Sequence, residues 1–340
     1  MKKLNKFMSV AMSAAMVMSL TACGNATEET AAPADTATEA KTETASSTSA
    51  DAAAVDSDKV YHIGILQQLE HPALDAASEG FEAALTELLG ADHVKFDLQN
   101  AQGEQANCAT ISNNFVASNY DLILANATTA LQCAGAATST IPILGTSITD
   151  YATALEIDDW TGATGRNISG TSDLAPIAEQ EKMLVELFPD AKTVGILYCS
   201  AEPNSKYQAT EFEKALDADN ISYKEYTAAD SNEVQSVVTK AVGECDALYI
   251  PTDNTIANNT EIVKNVAVPA GIPVVTGEEG MCSGCGLATL SISYYDLGVK
   301  AAEMAYEILT NGADPAQMAI GYVTDGITEK YNADIAEALG

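Results

Sequence analysis

Arginine is nearly missing from this 340-residue chain: Arg166 is the only one, and 16 lysines and arginines stand against 48 acids for a formal charge of −32. A protein that binds nucleic acid needs clustered cations to displace counterions from phosphates, so this acidic surface excludes nucleic acid as a partner. Histidine occurs three times, at His62, His71 and His93, far apart in sequence and with no cluster of metal-ligating residues, so no metal centre is expected. Aromatic residues make up 6%, with Trp160 the single tryptophan. There is no G-x-S-x-G elbow, no P-loop and no H-E-x-x-H, and the turn after Gly64 reads Ile-Leu-Gln-Gln where a dinucleotide site needs glycines. These absences argue against an enzyme and against a bound cofactor. Only one long hydrophobic run exists, Phe7 to Leu20, which is too short to span a bilayer comfortably.

That run follows Lys2, Lys3 and Lys6, the charged-then-apolar layout of a secretory signal over residues 1–22. At its end, Leu20-Thr21-Ala22-Cys23-Gly24 resembles the lipobox of bacterial lipoproteins, which implies lipidation of Cys23. Two acyl chains there would anchor the protein to the outer, extracytoplasmic face of a bacterial cytoplasmic membrane. Residues 23–58 are Ala, Thr, Ser, Glu and Asp with almost no large apolar side chain. Such a segment buries too little surface to offset its ordering entropy and is expected to be a disordered acidic tether.

From Lys59 the pattern is strand then helix, and it occurs twice. Val60 to Leu66 is answered by Thr193 to Leu197, Tyr120 to Ala125 by Cys245 to Ile250, and Ile141-Pro-Ile-Leu144 by Ile272-Pro-Val-Val275. Between them, Asp75 to Leu89 sets Ala77, Phe81, Ala84, Leu85 and Leu88 on one helical face, and Leu174 to Phe188 and Ser231 to Val242 behave similarly. Strands alternating with helices make parallel sheets through right-handed crossovers, so two doubly wound α/β lobes follow. Ala288 to Ser293 reads as a further strand and Tyr295 to Leu309 as a helix; the tail contains Met318 to Val323 and a last helical stretch from Thr328.

Seven segments occur in order: Glu70-His-Pro-Ala-Leu-Asp75, Gln99-Asn-Ala-Gln-Gly103, Thr146-Ser-Ile-Thr-Asp150, Glu202-Pro-Asn-Ser205, Pro251-Thr-Asp-Asn254, Gly277-Glu-Glu-Gly280 and Tyr294-Tyr-Asp-Leu-Gly298. Together they resemble the ABC-transporter substrate-binding lipoproteins related to the tryptophan- and tyrosine-binding proteins. The resemblance implies a type I periplasmic-binding fold, with two lobes joined by hinge strands and a ligand held in the cleft. It implies a first lobe of residues 59–166 plus 293–320 and a second of 167–292 plus 321–340. Hinge crossings are expected near Gly165 to Gly170, Leu290 to Ser293 and Gly321 to Asp325, with Arg166 a structural residue of the first. It also implies an ABC permease and its ATPase as partners, and a monomer that captures a small solute, an amino acid and an aromatic one among the candidates. A sensory lipoprotein and a sugar or nucleoside binder are the alternatives.

If each strand ends at the cleft, six loops converge there. Asp253 is the first candidate to meet a ligand ammonium, with Glu70 and Glu278 behind it. Hydroxyls and free N–H groups at Thr128, Thr129, Thr146 and Ser147 suit a carboxylate. Gln132, Asp150, Asn204, Ser205 and Asn254 lie on the same loops, and Tyr198, Tyr207, Tyr294 and Trp160 offer aromatic faces. Thr128, Ser147 and Asp253 are equally placed to cap helices. Past Cys23, six cysteines leave fifteen possible full pairings. Cys282-Ser-Gly-Cys285 is expected in a loop before a strand, away from the helix start that would activate a thiol. Cys199 departs from the family's pattern and is expected near the cleft.

Overall fold

The computed structural model describes residues 59–323 and 326–340; the signal segment, Cys23 and the whole acidic tether lie outside them. The first lobe opens with β1 (Tyr61–Gln67), α1 (Pro72–Leu89), β2 (Val94–Asn100), α2 (Gln105–Ala117), β3 (Leu122–Asn126), α3 (Thr128–Ala137), β4 (Ile143–Ile148), α4 (Tyr151–Leu155) and β5 (Ile168–Ser172). The second runs through α5 (Ile177–Leu187), β6 (Thr193–Cys199), α6 (Pro203–Ala218), β7 (Ser222–Ala228), α7 (Val234–Val242), β8 (Ala247–Ile250), α8 (Asn254–Ala257), α9 (Thr260–Ala267), β9 (Val274–Thr276), α10 (Glu279–Gly284) and β10 (Ala288–Ser291). The chain then returns through α11 (Tyr294–Asn311) and β11 (Gly321–Tyr322) and ends in β12 (Thr328–Tyr331) and α12 (Ala333–Leu339).

One sheet has the order β11-β5-β4-β3-β1-β2 and is parallel throughout. The other, β12-β10-β9-β8-β6-β7, is parallel except where β12 pairs antiparallel with β10. These are the two doubly wound α/β lobes expected from the sequence. Each central strand is buried on both faces, as a parallel sheet covered by helices requires. On β1, Ile63 and Ile65 pack toward α1 and α11, whereas Leu66 joins the core under α2 and α3.

Sheet membership moves the lobe boundaries. Both β5 and β11 belong to the first sheet, so the three crossings fall at residues 173–176, at 292–293 and between β11 and β12. Residues 167–172 were expected in the second lobe, and Gly165 to Gly170 as the first crossing. Instead β5 lies beside β4, Ile143 opposite Ile168, and this apolar pairing holds the segment in the first sheet. Arg166 lies just before β5, in an isolated bridge to Ile168. The stretch from Thr328 begins as a strand rather than a helix, because Ala288 to Ser291 needs an edge partner and Tyr331 to Thr328 supplies it. Leu88, expected on the buried face of α1, is 42% exposed, one position short of Leu89, which continues the stripe formed by Ala77, Phe81 and Leu85.

Helix α1 packs along α11 at backbone distance. A Cβ on Gly80 would strike the carbonyl oxygen of Tyr295, and one on Gly298 the carbonyl of Ala77. Glycine at these two positions lets the helices touch and draws the start of α11 against Ala73 and Ala77.

Candidate functional site

In parallel sheets the loops after the strands gather at one edge, and here both lobes turn that edge toward a shared cavity. From the first lobe come His71 and Leu74 at the start of α1, and Ser147 and Thr149 at the end of β4. The second supplies Asn204, the run Thr252 to Asn254, Ala257, Glu278 and Met281, while Asp173 and Tyr294 come from two of the crossings. The enclosed space is about 20 Å³. That is room for about one water molecule.

Acid dominates this wall. Asp173, Asp253 and Glu278 are all buried, and among the described residues no lysine or arginine lines the space. Asp173 accepts from the hydroxyls of Thr149 at 3.0 Å and Tyr294 at 2.8 Å, and burial raises its pKa despite these bonds. Glu278 caps α10, accepting from the backbone N–H groups of Gly280 and Met281, and burial pushes its carboxyl up to about 7. Asp253 caps α8 by accepting from Ile256 N at 2.8 Å, and its other oxygen accepts from Cys199 N at 2.6 Å. Burial, then the neighbouring Glu202 charge, raise it strongly.

Behind this layer Glu202 organises the second lobe. One oxygen accepts from Asn254 N and Nδ2 at 3.0 and 2.8 Å, and the other from Thr255 N and Oγ1, both at 2.7 Å. Gln208 crosses between lobes: its Nε2 donates to Thr149 Oγ1 at 3.3 Å and Thr252 O at 3.1 Å, while its Oε1 accepts from Thr252. Two polar atoms of the wall residues have no partner among the described residues although buried, Ser147 Oγ and His71 Nδ1. Ser147 is also held at φ 57°, a left-handed conformation costly for a residue with a Cβ.

Of the residues expected at the cleft, Ser147, Asn204, Asp253, Asn254, Glu278 and Tyr294 share this wall. The others are placed elsewhere. Glu70 is exposed. Thr128 and Thr129 open α3, where Thr129 N donates to Gln68 Oε1, and Gln132 turns to Ala154 O. Thr146 bonds Thr171 between strands, and Asp150 caps α4 through Thr153 N. Ser205 donates to Thr252 O behind the wall. Tyr198 lies in the core under α5 and α6 with its hydroxyl on Glu225, and Trp160 packs against the first-lobe core, so neither offers a face to the cavity. Tyr207 is on α6, outside the wall.

Sequence reading missed Asp173, Glu202 and Thr149, and it weighed His71 only as a metal ligand. Asp173 carried a signal, as a buried acid just past a strand end, but the misplaced first crossing hid it. Cys199 is beside the site only through its backbone, which holds Asp253. The six described cysteines are all free and buried. Cys282 ends up in the short helix α10 rather than in a loop, with its thiol pushed up to about 11 by burial. Among the described residues no helix is long and apolar enough to cross a membrane.

Comparison with known proteins gives this geometry a context. Residues 62–339 match the family described as ABC transporter substrate binding protein. A tyrosine-binding protein of Clostridioides difficile (strain R20291) is 39% identical over 256 residues, covering 75% of this chain and 74% of that protein. The crystal structure of an ABC domain in complex with L-Trp from Streptococcus pneumonia superposes with a TM-score of 0.78 at 34% identity, covering 83% of this chain and 95% of the other. The ligand-free, open structure of CD0873, a substrate binding protein with adhesive properties from Clostridium difficile, gives 0.63 at 37% identity, covering 82% and 95%. With its two lobes, its wall of strand-end residues and this match over nearly the whole described chain, the protein belongs to the family of ABC transporter substrate-binding proteins, which bind solutes without transforming them.

Proposed function

We propose that this chain is the lipid-anchored, extracytoplasmic receptor of an ABC importer and that it captures a free amino acid between its lobes. The observation that carries the reading is the uncompensated charge of the cavity. Asp173, Asp253 and Glu278 are buried there and, among the described residues, no lysine or arginine lines the wall. Burying carboxylates without a cation is costly, and burial raises all three. A ligand ammonium would supply the missing charge, and the unpartnered Ser147 hydroxyl would donate to its carboxylate. A neutral sugar would satisfy hydroxyls but leave the charge unopposed.

With about 20 Å³ of free space the cavity is nearly shut, so the lobes must part at their three crossings to load an amino acid and then close around it less tightly than they do here. In keeping with a closed form, this chain superposes better on the L-Trp complex than on the open, ligand-free protein at similar identity. L-tyrosine and L-tryptophan are the first ligands to try, on the strength of these relatives. Cys23 would hold the receptor at the membrane as a monomer, the acidic segment after it would act as a tether, and the permease with its ATPase would receive the closed form.

A melting-temperature screen against the twenty amino acids, nucleosides and common sugars tests the proposal. An amino acid at a hundred times its Kd is expected to add about 2.7 kcal/mol of stability, and its N-acetyl derivative nothing. Stabilisation by sugars or nucleosides alone would refute it.

A further inference from the structure

His71 precedes the first turn of α1 in the first lobe, and its ring forms part of the cavity wall. Its Nε2 lies 3.1 Å from Oδ1 of Asn254 in the second lobe. The surroundings of Asn254 fix which atom donates. Glu202 can only accept from the backbone N–H and hydroxyl groups it holds, and it takes Asn254 Nδ2 at 2.8 Å. The amide nitrogen of Asn254 therefore faces Glu202 and its oxygen faces His71. An amide oxygen accepts, so Nε2 carries the hydrogen, and in a neutral imidazole the other nitrogen is then a bare lone pair. That nitrogen, Nδ1, is buried and has no protein partner. A buried acceptor left unpaired is costly, and a donor from elsewhere must justify it.

We propose that His71 is a ligand-binding residue: while Nε2 ties the first lobe to Asn254 of the second, the Nδ1 lone pair accepts a hydrogen bond from the ammonium of the bound amino acid. This rests on the amino-acid reading above and adds to it a neutral acceptor among the acids. The carboxylates Asp173, Asp253 and Glu278 supply charge, which any cation satisfies; a lone pair at a fixed position demands an N–H in one direction. The same ring would join recognition to closure, because the nitrogen that meets the ligand and the nitrogen that meets the other lobe belong to one rigid plane. Protonation would place an N–H against the ligand's own N–H groups. Burial opposes it by lowering the pKa of the ring, against the Asn254 hydrogen bond and the charges of Glu202 and Asp75, which raise it.

The chain has three histidines, so the imidazole nitrogens of the full-length protein can be resolved by ¹⁵N NMR and His71 assigned by its loss in a variant. At pH 7 without ligand, His71 is expected to show a protonated Nε2 and a bare Nδ1; the opposite tautomer or a charged ring overturns the proposal. Addition of L-tyrosine is expected to move the Nδ1 resonance toward the hydrogen-bonded range, and an unmoved resonance in the saturated protein also overturns it. His71→Gln keeps a donor toward Asn254 and removes the Nδ1 acceptor. It should weaken L-tyrosine binding about ten- to a hundredfold while leaving the melting temperature of the free protein within a few degrees. Unchanged affinity in this variant refutes the role of His71 alone. A wild-type protein that binds none of the twenty amino acids refutes both this role and the reading beneath it.

Discussion

Asp253 spends both oxygens on backbone, one on the first turn of α8 and one on Cys199 at the end of β6. It therefore pins two elements of the second lobe while lining the cavity, and any ligand ammonium would share a carboxylate that is already bonded. Asp253→Ala should lower stability by about 2–4 kcal/mol, the sum of a lost cap and a stranded buried N–H, as read by urea denaturation. Asp253→Asn keeps an acceptor for the cap and should cost much less stability than the alanine variant. A difference in amino-acid affinity between Asp253→Asn and wild type then isolates the contribution of the charge.

Glu278 permits a pH prediction. Its carboxyl titrates at about 7 in the folded chain against an ordinary 4.5, so the folded state holds the proton longer than the unfolded one. Stability from that difference is complete below the ordinary value and is lost as pH rises to about 7. Glu278→Gln removes the titration. Its stability relative to wild type should rise between pH 4.5 and 7 and stay level above, measured by denaturation midpoints across that range. A flat difference would show that the group does not titrate there. Both acids were legible as polar residues at strand ends of an α/β repeat. Their caps, and the hub role of Glu202, were not, because which N–H groups a carboxylate meets depends on how loops from distant strands converge.

The central strands and long helices were read from periodicity nearly to the residue: β1 begins at Tyr61 where the apolar run begins at Val60, and α11 spans Tyr294 to Asn311 around the expected Tyr295 to Leu309. Edge strands were not. The strands β2 and β7 carry exposed, polar side chains along much of their length and lack the continuous apolar run that marks a strand buried on both faces. β12 reads Thr-Glu-Lys-Tyr, and only pairing with β10 makes it a strand. The contact between α1 and α11 was equally silent, since a glycine inside a helix gives no hint of what lies against it. Gly298→Ala should destabilise by on the order of 1–3 kcal/mol, because its Cβ would meet backbone that cannot swing aside. Equilibrium unfolding would show this. An unchanged midpoint would mean that the two helices can separate without loss.

Across the whole molecule the ion pairs are at the surface, and among the described residues every one has both side chains more than a quarter exposed. Exposed pairs of this kind add little, so the fold rests on apolar layers on both faces of each sheet. Two lobes were legible because the same strand pattern occurs twice. Where the chain changes lobe was less so, since a crossing is defined by the sheet a strand joins and not by its own composition.

The returning helix α11 has a consequence in time. It supplies Ala301, Ala302, Ala305 and Ile308 to the same core as Ile63 and Ile65 of β1. The second sheet likewise waits for β12, which follows α11 and β11 in sequence, to cover its edge. A ribosome, or a channel that threads the chain in the same direction, therefore delivers the second lobe up to β10 before the first lobe has its full complement of partners. Interleaving the lobes in sequence makes completion of the first depend on prior delivery of most of the second.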